Sequence, residues 1–85
     1  MYEIAWKPKA RKQLMKIGDK SAIRAIGLSV MNLASFPTCP GIKKLQNHEF
    51  GYRLRVGAYR VLFDVRETIQ IIEIQEVKKR DERTY

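Results

Sequence analysis

Residues 2 to 6 alternate, with Tyr2, Ile4 and Trp6 on one parity, and this period of two predicts a short N-terminal strand. Pro8 then suits the first turn of a helix, where its missing N–H costs nothing. Leu14, Met15 and Ile17 form that helix's apolar stripe among Lys and Arg, and Gly18 is placed to end it. A second helix, capped by Asp19 or Ser21, is predicted to run to about Ser35, with Ile23, Ile26, Val30, Met31 and Leu33 or Ala34 at helical spacing. Phe36-Pro37 stops it. Residues 37–50 hold two prolines, Gly41, Asn47 and His48 with scattered apolar positions, and read as a connection with room for a short strand near Lys43 to Leu45.

From Tyr52 the period returns to two. Tyr52, Leu54 and Val56 alternate with Arg53 and Arg55, and the run Tyr59 to Phe63 follows Gly57-Ala58. A glycine at the first central position of a two-residue loop predicts a type II′ hairpin, whose register pairs 56 with 59, 55 with 60, 54 with 61 and 53 with 62. A last strand is predicted over Ile69 to Val77, apolar at both parities in its first half, as a central strand would be. The segment Lys78 to Tyr85 has no core pattern. The order specifies an α+β fold: an N-terminal strand, a two-helix hairpin, then a three-stranded antiparallel sheet packed on the helices. No repeat, linker or low-complexity tract divides it, so residues 1–85 read as one domain.

Charge changes the picture. With 45% hydrophobic and 31% charged residues the composition is globular, but 17 Lys and Arg face only 9 Asp and Glu, a net +8. That field attracts polyanions, chiefly nucleic acid, although an anionic membrane surface or an acidic protein would also fit. Cys39 is the only cysteine, which excludes an internal disulfide and a Cys/His zinc cluster. The N-terminal segment lacks the apolar stretch of a secretion signal, and no run approaches the roughly 18 apolar residues of a membrane span. The expectation is a cytoplasmic protein with no metal, no cofactor and no membrane partner.

The hairpin register places the charge. Side chains directly across an antiparallel pair share a face, so Tyr52, Leu54, Val56, Tyr59, Val61 and Phe63 point toward the helices and Arg53, Arg55 and Arg60 gather on the other side. An arginine alternating with apolar residues is ordinarily the solvated side of a strand. Three on one face, two of them directly opposed, with no carboxylate except Asp64 in reach, favour a phosphate-binding surface, because Arg grips phosphate with two N–H donors and stays charged. Lys78, Lys79, Arg80, Arg83 and Tyr85 extend the basic character, and Lys43-Lys44 adds either phosphate contacts or a solvated loop.

The pattern Y-R-L-R-V-G-x-Y-R-V-L-F, followed at residues 77–85 by V-K-K-R-D-E-R-T-Y, resembles the RelE/ParE toxin superfamily and, within it, the RelE branch. The order of strands and helices agrees over nearly the whole chain. The resemblance implies a RelE-like microbial RNase fold and a toxin held inactive by a cognate antitoxin. When freed, such a toxin enters the ribosomal A site and cleaves the bound messenger RNA without a metal. Operator DNA would be met only through the toxin–antitoxin complex. By resemblance the catalytic set is Arg53, Arg55, Arg60, Arg80 and Tyr85: Arg60 and Arg80 would neutralise the scissile phosphate, and Tyr85 would orient the base or assist proton transfer. Lys43, Lys44, Lys78, Lys79 and Arg83 would bind RNA. The RelE branch often carries Lys where this chain has Arg53 and Arg55.

RNA supplies its own nucleophile, since a 2′-hydroxyl attacks the adjacent phosphate once it loses its proton and the developing charge is stabilised. Arginines meet the second need. For the first, a proton acceptor is wanted, and arginine is a poor one. His48 reads as a surface loop residue, and nothing in the sequence places Glu49, Asp81 or Glu82 on a 2′-hydroxyl; in RelE-like toxins Arg55 or Tyr85 would be considered. Two other readings stand beside the ribonuclease: a ParE-like inhibitor of DNA gyrase on the same fold, and a non-catalytic nucleic-acid-binding module whose signature would be salt dependence.

Overall fold

The computed structural model describes residues 1–79. In chain order it comprises β1 (Glu3–Trp6), α1 (Pro8–Met15), α2 (Lys20–Met31), a 3₁₀ turn (Asn32–Ser35), β2 (Ile42–Lys44), β3 (Tyr52–Val56), β4 (Tyr59–Arg66) and β5 (Ile71–Lys79). The strands make one five-stranded sheet in the order β1-β5-β4-β3-β2. The α+β architecture expected from the sequence is present, with two strands more in the sheet than the three expected. β1 adds in parallel to β5, and β2 pairs antiparallel with β3 at the opposite edge. Neither addition is a local hairpin with a two-residue turn, so no turn chemistry announces it.

Local chemistry explains the helices. Pro8 sits in the first turn of α1, and Gly18, at φ 80°, turns the chain beyond its end. The cap of α2 is Asp19 rather than Ser21: its carboxylate accepts from the N–H of Ser21 at 2.9 Å and of Ala22 at 3.3 Å. α2 stops at Met31 and tightens into the 3₁₀ turn to Ser35. Ile26, Val30 and Leu33 are buried against the sheet, whereas Met15 and Met31, both expected on the apolar stripes, point outward. Met31 lies one position past Val30, which at 100° per residue turns it off the buried face.

The core lies between the helices and one face of the sheet, built from Ala10, Ile26, Val30, Leu33, Leu54, Val61, Phe63, Ile72, Ile74 and Val77. An aromatic group closes one end. Phe36 meets Tyr2, Tyr52 and Phe63 edge-on at centroid distances of 5.8, 5.1 and 6.2 Å, while Tyr52 stacks on Phe63 at 5.4 Å. The small, fully buried Ala10 lets α1 approach β5 closely. β1 ends at Trp6, opposite Ile74, so β5 runs on with an unpaired edge beyond it; the Gln13 carboxamide on α1 accepts the Val77 N–H there at 2.7 Å.

The hairpin register is the one expected: Val56 opposite Tyr59, Arg55 opposite Arg60, Leu54 opposite Val61 and Arg53 opposite Leu62. Gly57 has φ 57°, and Ala58 is not at positive φ, which fits the type II′ turn. The last strand differs. It spans Ile71–Lys79 rather than Ile69–Val77, with Ile69 exposed, and therefore includes Lys78 and Lys79. Strand β5 is central, as its apolar first half implied. Its pairing with β4 is interrupted by a bulge, since Leu62 faces Glu76 while the next residue, Phe63, faces Ile74.

Candidate nucleic-acid interface

Cross-strand register builds the site on the sheet face turned away from the helices. One row crosses three strands, Arg55 on β3, Arg60 on β4 and Lys78 on β5, each directly opposite the next. The adjacent row runs Lys43, Arg53, Leu62 and Glu76 across β2 to β5. Neighbouring strands lie about 4.8 Å apart, so five cations share a small area. Directly opposed like charges destabilise a ladder, and bound phosphate would relieve that repulsion.

The sequence-derived residues divide. The structure brings together Arg53, Arg55, Arg60, Lys43 and Lys78. It separates their neighbours: Lys44 is opposite Tyr52 and Lys79 opposite Tyr59, both on the helix-facing side. Pleating alone splits each lysine pair, because adjacent residues point to opposite faces. Arg80, Arg83 and Tyr85, and the carboxylates Asp81 and Glu82, lie outside the described residues. His48 is exposed in the β2–β3 connection, where its Nδ1 accepts the Phe50 N–H at 3.1 Å. Glu49 is exposed in the same connection.

The cations are held from beneath and from the side. Leu54 and Val61 bury the helix-facing side of the hairpin, so the intervening arginines have one orientation available. Gly41, at φ 84°, brings its carbonyl to the Arg55 N–H at 3.0 Å; a β-carbon there would stand 3.2 Å from the Arg55 carbonyl oxygen. The Asp64 carboxylate accepts from the Gly51 N–H at 2.8 Å and from Gln75 Nε2 at 3.1 Å, tying the β2–β3 connection to the sheet. Arg53 Nε is buried without a hydrogen-bond partner among the described residues. A guanidinium N–H in that condition is costly unless an acceptor arrives, and a phosphate oxygen is such an acceptor.

One acidic residue of this face escaped the sequence reading. Glu76 is 6% exposed, the one buried charged side chain among the described residues. Lys9 Nζ lies 3.6 Å and Lys78 Nζ 3.5 Å from its carboxylate. Strict alternation from Ile72 and Ile74 would send residue 76 into the core; the bulge returns it to the cationic face and sends Val77 inward. Farther along, Glu73 accepts from Arg66 Nε at 2.9 Å and pairs with Lys7 at 3.6 Å. The Arg66 hydrogen bond holds the Glu73 carboxyl below its ordinary 4.5, partial burial opposes this, and the charges of Arg66 and Lys7 reinforce it. Burial pushes the Cys39 thiol up, which makes it a poor nucleophile. Among the described residues no cluster of His, Cys, Asp or Glu could hold a metal, and no helix is long and apolar enough to cross a membrane.

Solved structures of similar proteins share this fold. The toxin of the RelBE2 toxin–antitoxin complex of Mycobacterium tuberculosis superposes with a TM-score of 0.79 at 23% identity, over 93% of this chain and 98% of that one. The archaeal RelE–RelB complex from Pyrococcus horikoshii gives 0.75 at 24% identity over 95% and 97%. The isolated Escherichia coli RelE toxin gives 0.80 at 17% identity over 96% and 87%. These likenesses establish a shared fold. No curated protein matches by sequence. The model of the ParE toxin of type II toxin–antitoxin systems matches residues 4–84, and with RelE toxins as its structural neighbours, the chain belongs to the RelE/ParE toxin superfamily.

Proposed function

We propose that this toxin is a metal-independent endoribonuclease that cuts messenger RNA in the ribosomal A site. The observation that carries the reading is the solvent-side row Arg55–Arg60–Lys78 beside Arg53 and Lys43, a concentration of phosphate ligands far beyond what a solvated strand face needs. In-line attack of a 2′-hydroxyl requires neutralisation of the pentacoordinate phosphate, and these cations supply it from a rigid sheet. By resemblance Arg80 and Tyr85 would complete the site, with Arg83 contacting flanking RNA. Among the described residues the cationic surface is an open face, which supports a dependence on the ribosome: the messenger would be presented to it already splayed. Cytoplasmic action is part of the same reading.

The partner that restrains it is a cognate antitoxin, as in the RelB–RelE complexes of similar fold. A cleft of about 570 Å³ between α1 and α2 is lined by Trp6, Leu14, Ile23, Leu28 and Met31, with Arg11 and Arg24 among its walls. An amphipathic antitoxin helix with acidic flanks fits that mixture of apolar floor and positive charge. The family model is named for ParE, which supports a second reading, inhibition of DNA gyrase without RNA cleavage. Two assays run in parallel separate them. Purified protein added to a programmed translation mixture should shorten the messenger while leaving gyrase supercoiling unaffected; intact messenger with lost supercoiling would reverse the assignment.

A further inference from the structure

Resting on the ribonuclease reading, we propose that Glu76 is the proton acceptor for the attacking 2′-hydroxyl. A base must stand beside the phosphate ligands and possess lone pairs, and the five cations of this face have none to offer when charged. Glu76 does. It lies across from Leu62, one row from Arg60 and on the same face as Arg53, Arg55 and Lys78. The β-bulge at Gln75 turns it there against the alternation of its own strand, and bulges re-aim single side chains in this way beside active sites.

Access to the carboxylate is controlled by lysine. At 3.6 and 3.5 Å the contacts of Lys9 and Lys78 are longer than hydrogen bonds, and the two side chains are 67% and 53% exposed. A phosphate bound to Arg60 draws Lys78 toward itself, and its departure opens the Glu76 oxygen to the ribose. The proton of the 2′-hydroxyl passes to that oxygen, the 2′-oxygen bonds to phosphorus, and the bond from phosphorus to the 5′-oxygen breaks. The leaving 5′-oxygen takes a proton from water and the carboxyl returns its own to solvent, leaving a 2′,3′-cyclic phosphate and a 5′-hydroxyl. No metal, cofactor or oxidant enters this balance.

Single-turnover cleavage on programmed ribosomes for wild type, Glu76→Gln and Glu76→Asp tests the assignment. The charged groups set around Glu76 are Lys9 from α1, Lys78 on β5, and Arg60 and Arg53 from β4 and β3. Removing the base is expected to slow Glu76→Gln by about 10²–10³-fold with ribosome binding unchanged. Glu76→Asp should retain part of the rate. A Glu76→Gln rate within about threefold of wild type overturns the proposal while leaving the ribonuclease reading intact. Should Glu76→Gln fail to fold, Glu76→Asp decides alone, a wild-type rate counting against the proposal and a loss of about tenfold or more at unchanged binding supporting it. Absence of ribosome-dependent cleavage by the wild type defeats both readings together.

Discussion

Replacing Arg60 by glutamine should make the fold more stable while disabling the site. Arg60 is flanked by like charges on both sides of the ladder, Arg55 on β3 and Lys78 on β5. With charged heads about 6 Å apart in water, each pair repels by about 0.7 kcal/mol. Screening at 0.1 M salt reduces this to about 0.4 kcal/mol per pair. The diagonal attraction of Glu76 offsets part of the sum, leaving a net gain of about 0.5 kcal/mol for Arg60→Gln, the size expected of cross-strand charge pairs. In a domain of this length that corresponds to a rise in Tm of about 2–4 °C. Calorimetry and urea unfolding at 0.05, 0.1 and 1 M NaCl would measure it, and the gain should shrink as salt rises. A loss of stability, or a gain equal at all three concentrations, would refute the electrostatic reasoning. Arg66→Gln is the contrasting control: Arg66 donates to Glu73 at 2.9 Å, so its removal should destabilise.

Asp64→Ala should cost about 1–3 kcal/mol, since it strands the Gly51 N–H and the Gln75 amide, and amide exchange at Gly51 should accelerate with it. Glu73 makes the fold acid-sensitive. Its folded carboxyl is held below 4.5, so its contribution is present above that pH and is lost as pH falls through the folded value. The Glu73→Gln protein should therefore show a flatter loss of Tm below pH 4.5 than wild type. Leu28 is exposed on the α1–α2 cleft and remote from the cationic face, so Leu28→Glu should preserve messenger cleavage while weakening rescue by co-expressed cognate antitoxin.

Local signals made the hairpin legible. Gly57-Ala58 and the flanking alternation determine a register, and the register alone places Arg53, Arg55 and Arg60 on one face. The docking of β1 against β5 and of β2 against β3 escaped because those pairs join residues far apart in sequence or linked by an irregular connection. Glu76 escaped for a different reason. An alternating pattern carries no mark of an inserted residue, and the shift at Gln75 appears only when β5 lies against β4. The same shift turned Lys78 from a supposed tail residue into the third cation of the row. Met31 and Met15 misled in the opposite direction: apolar composition identified them as core, but the helix angle points them outward.

If the cationic sheet face binds and cuts messenger RNA on the ribosome, primer extension on a defined messenger, with and without ribosomes, should distinguish wild type from Arg60→Ala. New 5′ ends are expected from the wild type only when ribosomes are present, and none from Arg60→Ala. Intact messenger with wild-type protein, or ends that persist undiminished in Arg60→Ala, would rule out cleavage by this face.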